Sequence, residues 1–500
     1  MRPFAVQFSI ALVHAALGSA GFIHYGMLSP LEKQIRRFIC RSGSLESDSV
    51  QVSVYWALTA SALYASAFLA MYPMSRCLEL VGRRPTALYI STGLSAVGSI
   101  LQFASVPLNS VWPLIIGRFL VGAGLNGAAY LPNYILECFV HEGQYSGAMA
   151  NVPRVGCAWF TVLGAFIGAP DVLGRDDVWH YCFLVPVIPL LLYTAIGFFC
   201  LRESPKHLYL TTGDHEAARK SALYYSASDL DWDRLLLEYE TEKRQTATLV
   251  SPNLWSMWQQ AHFRWPLLIA LVICAGASLC EGDLADTFSV EILVTGGPGG
   301  LDRHTAAFAN VGIQISSDLL SSVVAAMIVD RIARRPYILG SATLWVGGTL
   351  LLFLRYATAA YAPQWTKIGF SIGGLILVMI SKYAALAGLP LFVNEAVLQR
   401  ARSITLVGPM AFNSALSGLV ILLYPIVTDH LTKGGFHATM CSLCFACLLW
   451  LWWRLPETRG KTPTEMATLW RVREGVEPSG PVEDETAPLV LKSTSDVELI

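Results

Sequence analysis

The sequence predicts an all-α membrane protein of twelve transmembrane helices, arranged as two pseudo-symmetric six-helix bundles with intracellular helices between them. Three observations carry that expectation. Charged residues make up 14% of the 500-residue chain, against about a quarter of a soluble domain, and mean hydropathy is +0.49. Twelve apolar runs are each long enough to cross the hydrocarbon, which takes about 20 residues as a helix. A charged phrase also occurs twice: Glu79 to Pro85 reads ELVGRRP and Asp330 to Pro336 reads DRIARRP, each just beyond the second run of six.

The runs fall at 4–28, 52–73, 87–108, 112–136, 147–169, 179–201, 265–290, 306–329, 337–357, 366–392, 403–427 and 435–453, and are numbered helices 1 to 12 in that order. In lipid only a helix satisfies its own backbone one segment at a time, and runs of this length exceed barrel strands. The first run is longer than the apolar core of a signal peptide, about 7 to 15 residues, and reads as an uncleaved helix. The chain therefore divides into an amino-terminal bundle (1–201), a cytosolic helical linker (202–264), a carboxy-terminal bundle (265–454) and a cytosolic tail (455–500). In the linker, Asp214 can cap HEAARKSALYY, and DWDRLLLEYETEKR carries Leu235, Leu236 and Tyr239 on one face. The tail turns acidic and carries Pro478, Gly480 and Pro481, so disorder is expected after about residue 471.

An even number of crossings puts both termini on one side. Arg76, Arg83 and Arg84, then Arg331, Arg334 and Arg335, then Arg400 and Arg402 follow helices 2, 8 and 10 and place those turns, and the termini, in the cytosol. One segment disagrees: Lys33, Arg36, Arg37 and Arg41 follow helix 1 and would face outward. The plasma membrane is expected ahead of an endosomal one.

A net charge of −1 offers no basic surface to nucleic acid. The partners expected are the bilayer and a small polar solute. The eleven cysteines lie almost entirely in apolar runs, which argues against a disulfide-stapled ectodomain. Cys441, Cys444 and Cys447 have no fourth ligand nearby and suit close helix packing better than a metal. Glycine-rich VGAGLNG, Val121 to Gly127, lies inside helix 4 and is not a nucleotide loop. No cofactor, metal or enzymatic activity is expected.

The repeated phrase marks an internal duplication, the ground plan of transporters whose site lies between two halves. Arginines alone would also suit anchoring to anionic headgroups. The matching carboxylate in each copy favours duplication.

These residues, with GRFLVGAG at Gly117 to Gly124, RESPKHLYL from Arg202, LPETRGKTPTE from Leu455 to Glu465 and GSAGFIHYGMLSP in helix 1, resemble the major facilitator superfamily. Within it the chain is most similar to the sugar porters of the facilitative glucose transporter type, over about residues 15–470. The resemblance implies a cytosolic gate. Glu79, Gly82, Arg83, Arg84, Arg118, Glu137 and Glu203 would serve the first half, and Asp330, Arg331, Arg334, Arg335, Glu395, Arg402 and Glu457 the second. Such groups can pair when the inner mouth closes and separate when it opens. Exposed pairs contribute about 0 to 1 kcal/mol each, weak enough for a latch to release. The first half is less faithful: Leu80 replaces a cation, Gln144 stands seven after Glu137, and Ser146 stands where an arginine precedes Gly147.

The resemblance also implies a cavity rich in amides and aromatic rings, since each buried substrate hydroxyl must find a partner. Arg154 stands where those porters carry a helix 5 glutamine, Ala277, Ser278 and Asp283 take the helix 7 amide positions, Leu391 takes the helix 10 tryptophan position, and helix 11 offers Phe412 and Asn413. The candidate substrate-binding set is Asn126, Arg154, Ser278, Asp283, Gln314, Asp318 and Asn413. Arg154, about 10 Å from the inner end of its helix, either snorkels to the cytosol or faces the cavity, where it suits an anion or pairs with Asp318. Asp283 and Asp286, three apart on one face and about 25 Å from the inner end of helix 7, are expected in a hydrated outer vestibule. Helix 1 carries His14 and His24 but lacks the aspartate that proton-coupled porters share. The expected function is movement of a hexose or related polyol by uncoupled alternating access. The alternatives are a small organic anion carrier using Arg154, a proton-coupled symporter, and a non-transporting nutrient sensor.

Overall fold

A computed structural model describes residues 4–46, 49–129, 138, 146–226, 232–248, 258–294, 301–319, 321–322, 331–397, 399–430, 432–461 and 463–473. Among them the regular elements are helical throughout. Helices 2 to 6 span Val50–Leu80, Arg83–Ala104, Trp112–Ala129, Ser146–Ile167 and Trp179–Cys200. In the second half, helix 7 spans Ala261–Leu279 and Gly282–Val294, helix 8 begins as Arg303–Gln314, and helices 9 to 12 span Arg334–Ala357, Gln364–Ala396, Gln399–His430 and Lys433–Arg454. Nine described stretches are long and apolar enough to cross a membrane, with shorter apolar helices at Trp112–Leu125 and Val155–Ile167.

Helix 1 differs from expectation. It runs as Phe4–Leu17, a 3-10 turn at Ala20–Phe22 and Ile23–Gly26, and then continues as Leu28–Gly43. The segment expected as a loop is thus an amphipathic helix. Leu28, Leu31, Ile35, Phe38 and Ile39 recur at helical spacing and are buried, while Lys33, Arg37 and Arg41 keep the solvent face.

The linker between the halves is helical, among its described residues, where expected. Asp214 accepts the Ala217 N–H at 2.9 Å and opens His215–Tyr225, the N-cap geometry of a short acidic side chain. Leu235 and Tyr239, on Trp232–Thr248, pack against Tyr209, Ala218 and Ala222. A last helix, Pro463–Arg473, packs on helix 7. The tail expected to be disordered lies mostly outside the described residues.

The two halves meet along helices 2 and 11, helices 5 and 8, and helices 1 and 7. At the first of these seams a Cβ on Gly418 would stand 3.2 Å from the Tyr64 Cβ. A central polar site is therefore walled by side chains drawn from both halves.

Candidate functional site

Helix 7 breaks in mid-membrane, and the break builds the site. Glu281 takes a positive φ of 67°, uncommon for a residue with a Cβ. It is held there by the His437 imidazole of helix 12, whose Nδ1 lies 2.7 Å from Glu281 Oε2 with both side chains fully buried. Gly282 follows. A Cβ at Gly282 would come within 2.7 Å of Lys382 Cδ, so glycine lets the helix 10 lysine lie against the restarted helix 7.

Lys382 Nζ then lies 2.7 Å from Asp283 and 2.9 Å from Asp286. All three are buried. A lone lysine here would be prohibitive, but two carboxylates at helical spacing, the first in a helix N-terminal turn, neutralise it. The aspartates expected in a hydrated vestibule are therefore enclosed; Gly282 and the break at Glu281 turn them toward helix 10.

A polar network spreads from this centre. Ser417 of helix 11 donates to Asp283 Oδ2 at 2.5 Å and lies 3.0 Å from Ser278 Oγ. Asn413 donates to Ser278 Oγ at 2.6 Å and to the Cys274 carbonyl at 3.1 Å. On helix 8, Gln314 Nε2 makes a long 3.5 Å contact to Asp286 Oδ1. Asp318 sits in a π-helical turn, Ile315–Leu319, a local widening that recurs at functional sites. Tyr25 and Tyr64 stand edge to face at 5.4 Å on the first-half side, within electrostatic range of Asp283 and Lys382. Gln314 Oε1, Asp318 Oδ2 and the Tyr64 hydroxyl are buried, and none has a hydrogen-bond partner among the described residues.

The structure thus brings Ser278, Asp283, Gln314 and Asn413 into one network, with Asp318 within electrostatic range of Asp286 and Lys382. The side chains of Asn126 and Arg154 lie outside the described residues. Lys382 and Ser417 were missed by the sequence reading. A lysine in the middle of the 33-residue helix 10, well away from Lys367 in its first turn, was the available signal, since an intramembrane cation is by default functional.

At the end that carries it, the repeated phrase does the same job twice. Both Glu203 carboxylate oxygens accept the Arg84 backbone N–H, at 3.1 and 3.2 Å, and Oε1 accepts that of Ser204 at 2.8 Å. The Arg84 guanidinium donates to the Gly197 and Phe198 carbonyls at the end of helix 6. In the second half Glu457 accepts the backbone N–H groups of Arg334, Arg335, Thr458 and Arg459 at 2.9 to 3.1 Å. Arg335 donates to the Trp452 carbonyl of helix 12 at 3.1 Å. Each carboxylate caps the start of helix 3 or 9, and each arginine caps the end of helix 6 or 12. Burial opposes the charge on Glu457, but the four N–H groups outweigh it and hold the carboxyl below the usual range.

Other gate candidates pair locally. Arg334 binds Glu395 at 2.9 Å, and Thr458 donates to the same carboxylate at 2.7 Å. Glu79 pairs with Arg76 at 2.6 Å in water. Arg402 donates to the Val397 carbonyl, and the Arg331 carbonyl accepts from Arg459. Arg83 lies within electrostatic range of His207. Gly82 has φ +114° and would place a Cβ 2.7 Å from Glu203 Oε2, whereas its counterpart Ala333 has an ordinary φ of −62°.

Glu137 and Asp330 lie outside the described residues. Arg118 is misplaced in the expectation: it is buried, and Nη1 points at the His24 carbonyl of helix 1 at 3.5 Å. Its neighbour Gly117 packs on Gly98 and Gln102, about 20 Å along helix 3 from Arg84 at 1.5 Å per residue. Among the described residues, the ion pairs named at this end each stay within one half.

The opposite end is closed between the halves. Ser29 and Ser289 hydroxyls are 3.0 Å apart, and the Val290 N–H donates to Ser29 Oγ at 2.9 Å. Arg303 of helix 8 approaches Glu32 at 3.6 Å, and His304 meets Asp171 at 2.6 Å. Burial pushes the Glu32 carboxyl up to about 7, helped by the Glu291 charge and opposed by Arg36 and Arg303.

Comparison with known proteins matches this arrangement. The family described as "Sugar (and other) transporter" matches residues 10–470. The chain is 23% identical over 462 residues to solute carrier family 2, facilitated glucose transporter member 9 of Mus musculus, covering 90% of this chain and 82% of that one. It is 24% identical over 472 residues to member 4 of Homo sapiens, covering 91% and 88%. Among solved structures, the inward open conformation of the xylose transporter XylE from E. coli superimposes with a TM-score of 0.73 at 17% identity, over 93% of this chain and all of that one. The architecture is the twelve-helix major facilitator fold of an integral, multi-pass membrane protein. The chain belongs to the Sugar (and other) transporter family.

Proposed function

We propose that the chain moves a hexose or a related polyol across its membrane by uncoupled alternating access, both termini being cytosolic. Residues 1–201 and 265–454 are the two moving bundles, joined by 202–264. One observation carries this reading. Gln314 Oε1, Asp318 Oδ2 and the Tyr64 hydroxyl are buried with no hydrogen-bond partner among the described residues, near the neutralised centre of Lys382, Asp283 and Asp286. A solute rich in hydroxyls, each able to donate and accept, satisfies such groups where an apolar or singly polar one does not. The relatives named for glucose and the structural neighbour named for xylose support the same class.

Absence of coupling rests on helix 1, which has no carboxylate between Phe4 and Gly26, and on Lys382, which already neutralises the helix 7 aspartates. A proton-coupled cycle is the second reading, favoured by Asp318: a buried carboxyl with no ion pair among the described residues and one oxygen that no described residue hydrogen-bonds. Uptake of labelled glucose, xylose and inositol into proteoliposomes, with and without an imposed pH gradient, tests both. Saturable uptake that ignores the gradient supports the proposal. Accumulation only when protons can flow inward down an imposed gradient replaces it with the second reading, and binding without flux replaces it with a sensor.

A further inference from the structure

We infer that the cleft between the continuation of helix 1 and the first turn of helix 8 binds a small multivalent oxyanion. Lys33, Arg36, Arg37, Arg41 and Arg303 line a space of about 540 Å³, with Cys40 and Leu45 completing it. Among the described residues no carboxylate lines that space. Behind the wall, Glu32 takes Arg36 and Arg303, and Asp176 takes Arg37 at 2.6 Å. Lys33 and Arg41 have no acidic partner among the described residues. Asp176 and Asp177 line the adjoining space on the far side of Arg37 and Arg41, so the cleft itself is faced by cations alone among the described residues.

The sequence pattern makes this costly unless something is bound. Lys33, Arg37 and Arg41 lie four apart on a helix, Leu28–Gly43, so like charges stack on one face and repel. Membrane orientation does not explain them, because they lie at the end opposite the repeated arginines, where an excess of cations works against the usual bias. Guanidinium groups fanned around one space are instead the arrangement that recognises phosphate and carboxylate oxygens. The space exceeds a single phosphate, and Leu45 and Cys40 give an apolar floor for the remainder of the ligand.

The site also joins the halves. Four of its cations come from the first half and Arg303 from the second, at the end where Ser29 meets Ser289. An anion held by both sets is bound best when this end is shut, so its binding favours the closed seam by linkage. A dissolved anion and an anionic lipid headgroup share this chemistry.

Binding of pyrophosphate to the full-length protein in phosphatidylcholine nanodiscs, titrated at fixed ionic strength, tests the site. Lys33→Gln/Arg41→Gln removes the two unpaired cations and leaves every named ion pair intact. Saturable binding weakened tenfold or more by the double variant supports the proposal. If pyrophosphate does not bind, thermal stabilisation by phosphatidylglycerol that is lost in the double variant supports it with a headgroup as the anion. No response to either, or a response the double variant leaves unchanged, overturns it. Thermal unfolding of the double variant without anion, unchanged or raised, shows that the fold survives.

Discussion

The Lys382 ammonium of helix 10 lies 2.7 Å from the Asp283 carboxylate of helix 7, both buried, at the point where helix 7 restarts after its break. A buried ion pair adds little net stability, but losing one partner leaves an uncompensated charge. Lys382→Met should therefore lower stability by about 3–5 kcal/mol. Adding Asp283→Asn and Asp286→Asn should recover most of the loss. Thermal unfolding in detergent decides it; a triple variant no more stable than Lys382→Met would show that the charges are not the reason.

The contact between Ser29 and Ser289 lies between the halves, with hydroxyls 3.0 Å apart, close to what a disulfide needs. Oxidised Ser29→Cys/Ser289→Cys should cross-link and stop solute flux, and a reductant should restore it. Full flux through a cross-linked protein would mean that the halves do not part here.

Glu32 gives this closure a pH dependence. Its carboxyl, with burial raising it to about 7 when the seam is shut, returns toward the ordinary value near 4.5 when opening hydrates it. The closed form then binds the extra proton between those values, so closure strengthens as pH falls from 7 toward 4.5 and levels off at its weakest above 7. Cross-linking of Ser29→Cys/Ser289→Cys at one thiolate-corrected rate should rise on acidification, and Glu32→Gln should flatten the profile. Facing Glu32 are Arg36, Arg303 and Glu291, the last paired with Lys433 at 2.7 Å, so a slope that survives Glu32→Gln would belong to another of these groups.

Gly82 and Ala333 occupy the same place in the repeat but are not equivalent. Gly82→Ala forces a Cβ toward Glu203 at a positive φ and should cost about 1–3 kcal/mol. Ala333→Gly, at an N-cap with ordinary φ, should change stability by a few tenths of a kcal/mol. Denaturation of the two variants side by side tests the asymmetry; equal losses would contradict it.

Particular residues show what was legible from the chain. Apolar length fixed the crossings, because spanning a bilayer is a local demand on about 20 consecutive residues. The doubled RRP phrase exposed the duplication, and Ser278, Asp283, Gln314, Asp318 and Asn413 stood out as polar groups inside apolar runs. Partner choice was not legible. Lys382 finds Asp283 and Asp286 only because helix 7 breaks at Glu281 and Gly282 admits the lysine stem. Glu203 and Glu457 turn to backbone N–H groups because helices 3 and 9 begin beside them.

The sequence by itself determined the number of crossings, the two-fold plan and the residues too polar to face lipid, since hydropathy and helical spacing are properties of neighbours along the chain. Only the tertiary structure decided which charges neutralise one another and which end is closed. Those outcomes depend on distances between helices far apart in sequence, and electrostatic energy changes steeply over a few ångströms.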